Sequence, residues 1–90
     1  MQNQNNQNKR KLFVSGLSEA IDERLLKDIF ITFGEIEEVK IPIKMNKTMG
    51  FGFITFYDYQ DAEQALLNMN KSEIYGKTIS VKWFEQKQSK

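Results

Sequence analysis

The 90-residue chain has no cysteine and no histidine. The first absence removes disulfides and thiolate metal sites and fits a reducing compartment. The second removes histidine bases and most zinc sites. Catalysis would have to rest on Ser, Lys, Tyr and carboxylates, and nowhere does the sequence set a nucleophile beside a base. The expectation is therefore not an enzyme, with no metal and no cofactor. No apolar run reaches the roughly 18 residues that a transmembrane helix needs, so no membrane partner is expected. Met1 to Asn8 is rich in Gln and Asn and lacks the apolar stretch of a secretory signal. A single proline and a net charge of only +1 complete the list of scarcities.

The distribution of that charge is more informative than its total. Residues 9–11 carry +3, 18–38 carry −5, 39–51 carry +3, 57–73 carry −3 and 77–90 carry +3. Acid and base are segregated along the chain, so a basic surface and an acidic one can coexist in a near-neutral protein. A solvated mixed surface is the plain alternative. The hydrophobic fraction, 40%, suffices for one modest core.

Periodicity supplies the elements. Residues 1–9 read as a disordered Asn/Gln-rich tail, 10–86 as the folded domain, and 87–90 as a C-terminal tail. Lys11 to Ser15 reads as a strand ended by Gly16. Ile21 to Phe33 reads as a helix through Ile21, Leu25, Leu26, Ile29, Phe30 and Phe33, with Ser18 or Asp22 as its cap and Gly34 as its stop. A second strand spans Ile36 to Ile41 and is limited by Pro42. Ile43 to Met49 reads as a polar, basic loop, and Gly50 to Tyr57 as a third strand dense in aromatic and β-branched residues. Asp58 caps a second helix running to about Met69. Tyr75-Gly76-Lys77 makes a turn, and Thr78 to Phe84 is the fourth strand. The order is βαββαβ. Right-handed crossovers put both helices on one face of the sheet and leave the other open.

Parity sorts the strand residues onto the two faces. Leu12, Val14, Val39, Ile41, Ile54, Phe56, Ile79, Val81 and Trp83 form the core-facing set. Lys11, Phe13, Ser15, Lys40, Phe51, Phe53, Thr55, Ser80, Lys82 and Phe84 form the other. A solvated sheet face should be polar, yet this one has four phenylalanines. Exposed aromatic clusters mark binding surfaces. Rings interleaved with lysines suit a single-stranded nucleic acid, whose bases stack and whose phosphates need cations. A second core under a further layer is the alternative, but the chain has only short tails left to build one. Gly50 and Gly52 alternate with Phe51 and Phe53. They leave room beside the rings and let a strand lie close to a helix, or else mark a bulge.

Two segments carry a family resemblance. Met49-Gly50-Phe51-Gly52-Phe53-Ile54-Thr55-Phe56 resembles the eight-residue RNP1 signature of RNA-recognition motifs, and Leu12-Phe13-Val14-Ser15-Gly16-Leu17 resembles the six-residue RNP2 signature. The resemblance covers about residues 10–86. It implies an α+β, ferredoxin-like βαββαβ sandwich with a four-stranded antiparallel sheet and two helices on one face. It also implies that Phe13 and Phe51 stack on two bases, or on a base and a sugar, while Phe53 inserts against the sugars between them. Met49 stands where the family usually has Arg or Lys on phosphate, and Gly16 where RNP2 usually has Asn.

A narrower resemblance runs through Phe30-Ile31-Thr32-Phe33-Gly34, Ile41-Pro42, Asn68-Met69-Asn70-Lys71-Ser72-Glu73 and Gly76-Lys77-Thr78-Ile79. These segments look like the N-terminal RNA-binding domain of the nuclear, RRM-containing cyclophilins of the cyclophilin E type. That likeness implies a monomeric targeting module of a nuclear RNA-processing protein, in which a peptidyl-prolyl isomerase domain follows. The expected partner is single-stranded RNA. The other option is a protein-interaction domain of the same fold, using the acids Glu19, Asp22, Glu23 and Asp28 on its helical side.

Overall fold

The computed structural model describes residues 9–85. Of the expected tails, 1–9 and 87–90, residues 1–8 and 87–90 lie outside the described residues. The chain begins with β1 (Lys11–Ser15), in which Leu12 and Val14 are buried and Lys11, Phe13 and Ser15 are half-buried. Helix α1 (Glu23–Phe30) follows, and a 3₁₀ turn over Ile31–Phe33 continues it to the expected end. Asp22 caps α1, its carboxylate accepting from the Leu25 N–H at 2.9 Å. This satisfies one of the donors that a helix start leaves unpaired.

Strand β2 (Ile36–Lys40) pairs with the later strand Phe51–Phe56 through a shift between Ile36 and Glu38. The irregularity explains why Ile36 and Val39, three apart, both pack on the core side. The segment expected as a plain loop instead forms a small hairpin, β3 (Ile43–Lys44) and β4 (Lys47–Thr48). Met45 and Asn46 turn it with positive φ at both positions, the geometry that suits a two-residue hairpin. Strand β5 (Phe51–Phe56) is the third long strand. Helix α2 (Tyr59–Met69) buries Ala62 and Ala65, small residues that bring it close to the sheet. Tyr75 and Gly76 turn a second small hairpin, β6 (Glu73–Ile74) and β7 (Lys77–Thr78). Strand β8 (Ser80–Trp83) closes the domain.

The long strands form one antiparallel sheet in the order β2-β5-β1-β8. Both helices pack on one face. Leu26 and Phe30 of α1, with Ile21 from the loop just before it, meet Leu12, Val14, Ile54 and Phe56 from the sheet in one buried cluster. Each such side chain contributes about 1.5–3 kcal/mol when withdrawn from water. Trp83, expected in the core, is half-buried at its edge, where the Tyr59 ring stacks on it at 5.5 Å and 12°. The Tyr59 phenol is held above its ordinary pKa by desolvation and by the Glu63 carboxylate it donates to.

Candidate nucleic-acid interface

The face turned away from the helices is fixed by strand register. Residues paired across antiparallel strands share a face. Phe13 of β1 is opposite Phe53 of β5 on one side and Lys82 of β8 on the other. Phe53 in turn is opposite Lys40 of β2. The middle row therefore reads Lys40, Phe53, Phe13, Lys82, with two rings between two lysines. On one side of it lie Phe51, Ser15 and Ser80, and on the other Glu38, Thr55 and Lys11. The Phe84 N–H donates to the Lys11 carbonyl at 2.9 Å, which extends this last row to Phe84. All ten expected site residues thus lie on one face, and no described element covers it.

The rings touch. Phe13 lies 5.6 Å from Phe51 and 5.5 Å from Phe53, tilted by 40° and 50°, and Phe51 meets Phe53 edge-on at 5.9 Å. Such separations are those of favourable aromatic pairs. Phe53 is the centre of the group. Phe84 also meets it, at 5.3 Å and 86°, and the Lys11 ammonium stands 5.3 Å from its ring centre. The Phe84 ring leans across β1 to reach β5.

Gly52 faces the other way, into the core. A Cβ there would lie 2.8 Å from the Lys40 carbonyl, 3.0 Å from Ile41 Cγ1 and 3.3 Å from Leu26 Cδ2. The absence of a side chain lets β2 and α1 approach the strand that carries Phe51 and Phe53. Gly50 is different from what alternation suggested. It lies before β5, has φ of +84°, and leaves open space around an added Cβ apart from the Leu17 carbonyl at 3.8 Å. It serves the turn, with its carbonyl accepting from the Leu17 N–H.

The cations are less free than the sequence suggests. Arg10 donates to Glu37 at 2.8 Å and to the Phe56 carbonyl at 2.9 Å. Lys40 lies 3.9 Å from Glu38. Lys11 lies over rings. Lys82, Lys44 and Lys47 are exposed. Two of the four acids of the helical side also have local work. Asp22 caps α1, and Glu23 accepts from the Ile41 N–H at 2.9 Å, which fixes the end of β2. Sequence reasoning missed the commitments of Arg10 and Glu23, because neither partner is close along the chain.

Residues 12–80 match the model of the RNA recognition motif. The chain belongs to the RNA recognition motif family. Human RNA-binding protein 28 is 42% identical over 76 residues, which cover 83% of this chain and 10% of that protein. The chain therefore spans about a tenth of the length of this relative. The C-terminal RNA recognition motif of the hypothetical RNA-binding protein RBM19 superposes with a TM-score of 0.85 at 28% identity, covering 99% of this chain and 87% of that one. A Sxl-lethal protein–RNA complex superposes with a TM-score of 0.83 over 90% of this chain and 50% of that one. At 22% identity that likeness shows the fold alone. The narrower resemblance to the cyclophilins is not supported: the relative found at 42% identity is RNA-binding protein 28 and not a cyclophilin.

Proposed function

We propose that this RNA recognition motif binds single-stranded RNA on the open face of its sheet, with Phe13 and Phe51 stacking on bases and Phe53 meeting the sugar between them. The observation that carries this reading is the mutual contact of three phenylalanines on a face that no described element covers. Base–aromatic stacking contributes about 1–3 kcal/mol per base. Lys40 and Lys82 flank the central rings and are suited to phosphates, while Ser15, Thr55 and Ser80 offer hydroxyls on the same face. Membership of the RNA recognition motif family and kinship with a protein named for RNA binding point the same way. The domain acts as a monomeric targeting module, and its setting is nuclear RNA processing. The location is checked by imaging the full-length protein.

The test is a titration of the domain with short homopolymer and random RNA oligonucleotides, followed by amide NMR shifts. Shifts should concentrate on β1, β5 and the outward residues of β2 and β8. Shifts confined to α1 and α2, with the sheet unmoved, would overturn the reading.

A further inference from the structure

Phe84 belongs to neither signature, yet its surroundings are built. Its N–H bonds to the Lys11 carbonyl, so the ladder continues one residue past β8 and the side chain rises beside Lys11. The Lys11 ammonium stands 4.7 Å from the centre of the Phe84 ring. A cation over an aromatic face is attracted by the ring quadrupole. A second contact, edge-on with Phe53 at 5.3 Å, also holds the ring. Two such contacts restrict rotation of the side chain before any ligand arrives, which lowers the ordering cost of binding.

A ring has two faces. One face of Phe84 takes the Lys11 ammonium. Phe84 also borders an open cleft of about 540 Å³ lined by Phe13, Lys82, Trp83 and Glu85, and Lys11 is not part of its wall. That volume lies in the range of small-ligand sites. Two phenylalanine rings and an exposed lysine among the lining residues match the parts of a nucleotide: a flat base and an anionic phosphate.

We propose that Phe84, backed by Lys11, is a fourth stacking position that receives one further base of a single-stranded RNA in the cleft it shares with Phe13. The proposal rests on the sheet-face reading above and extends it by one nucleotide. A cation on the far face of the ring draws electron density toward itself, so an electron-rich base is favoured on the near face. Purines are preferred there over pyrimidines. The competing role, a lid that must swing off Phe53 before RNA binds, predicts the opposite sign, because a blocked fraction lowers apparent affinity.

The experiment compares the wild-type domain with Phe84→Leu, Phe84→Tyr and the double variant Phe13→Ala/Phe51→Ala. Leucine keeps the apolar bulk without the ring, and tyrosine keeps the ring. Each is titrated by calorimetry with oligoadenylates and oligouridylates of roughly two to six nucleotides, after thermal melts establish that it folds. Phe84→Leu should weaken binding of the longer oligoadenylates about ten-fold, the middle of the stacking range. Dinucleotide affinity should stay unchanged, and the loss should be smaller for oligouridylates. Phe84→Tyr should bind as the wild type does. Equal affinity at every length, tighter binding in Phe84→Leu, or an equal loss for dinucleotide and hexanucleotide overturns the fourth position. If Phe84→Leu is silent while the double variant loses binding, the platform stands and only the fourth position falls. If the double variant binds like the wild type, the platform falls, and this position with it.

Discussion

The Arg10 guanidinium crosses from the start of β1, over β5, to Glu37 in the irregular stretch of β2, donating to the Glu37 carboxylate at 2.8 Å and to the Phe56 carbonyl at 2.9 Å. One side chain thus ties three strands at the end of the sheet. The ion pair is open to solvent, with the Arg10 and Glu37 side chains 38% and 45% exposed. The carbonyl contact is the more sheltered of the two.

These two contacts predict an asymmetry. An exposed pair contributes at most about 1 kcal/mol, so Glu37→Gln should cost less than that in urea unfolding. Arg10→Ala also strips a charged donor from a part-buried carbonyl and should cost about 1–3 kcal/mol. Equal losses would show that the carbonyl contact adds nothing. Because Arg10 is committed within the protein, its removal should leave the salt dependence of RNA binding unchanged.

Gly52 predicts a loss of stability that spares the site. An alanine Cβ would press on the Lys40 carbonyl and Ile41, and Leu26 would have to give by a few tenths of an ångström. Overpacking of this kind costs about 1–3 kcal/mol. The added methyl points to the core, away from Phe51 and Phe53. Gly52→Ala should therefore lower the melting temperature while RNA affinity, measured well below that temperature, stays within about two-fold. A large affinity loss in folded protein would show that the spacing of β2 against β5 sets the geometry of the rings.

The sheet face was legible in the sequence because a strand alternates with period two. Phe13, Phe51 and Phe53 followed from parity alone, and their register needed only antiparallel pairing. Departures came where the period breaks. The shift between Ile36 and Glu38 puts Ile36 on the core side with Val39, and no residue type there announces it. The Met45-Asn46 turn escaped notice because methionine rarely adopts positive φ. Phe84 was placed on the correct face, but its contact with Phe53 across β1 was not foreseen. Parity gives the face of a side chain, whereas its lean across a strand is set by contacts such as those with Lys11 and Phe53.

The contacts among the rings separate binding from stability. Phe13→Ala and Phe51→Ala should each weaken RNA binding by about 1–3 kcal/mol. Phe51 meets two rings at the end of the group, so its loss should cost little stability. Phe53 meets Phe13, Phe51, Phe84 and Lys11, so Phe53→Ala should lower both affinity and melting temperature. Calorimetric titration paired with thermal melts checks this ranking. A silent Phe13→Ala/Phe51→Ala double variant that remains folded would remove the platform.

Salt dependence offers an independent measure of how the backbone of the RNA is held. Among the described residues, few cations on the open face are unengaged: Lys40 sits near Glu38, Lys11 lies over two rings, and Lys82 is exposed, with Lys44 and Lys47 on the hairpin. Single-strand binding falls with a slope of about −0.7 in log K against log salt for each phosphate neutralised. Two or so contacts give a shallow slope near −1.4 and micromolar or looser affinity. Met49 stands just before the turn into β5, exposed, at a position where the family resemblance calls for Arg or Lys. Met49→Lys should therefore steepen the slope by about 0.7 and tighten binding at low salt. The gain should shrink as salt rises, because an exposed charge pair is screened beyond about 10 Å at 0.1 M. Fluorescence anisotropy across a salt series measures both effects. Tighter binding with an unchanged slope would mean that the lysine stem, and not its charge, meets the RNA. An unchanged slope and affinity would show that residue 49 faces no phosphate.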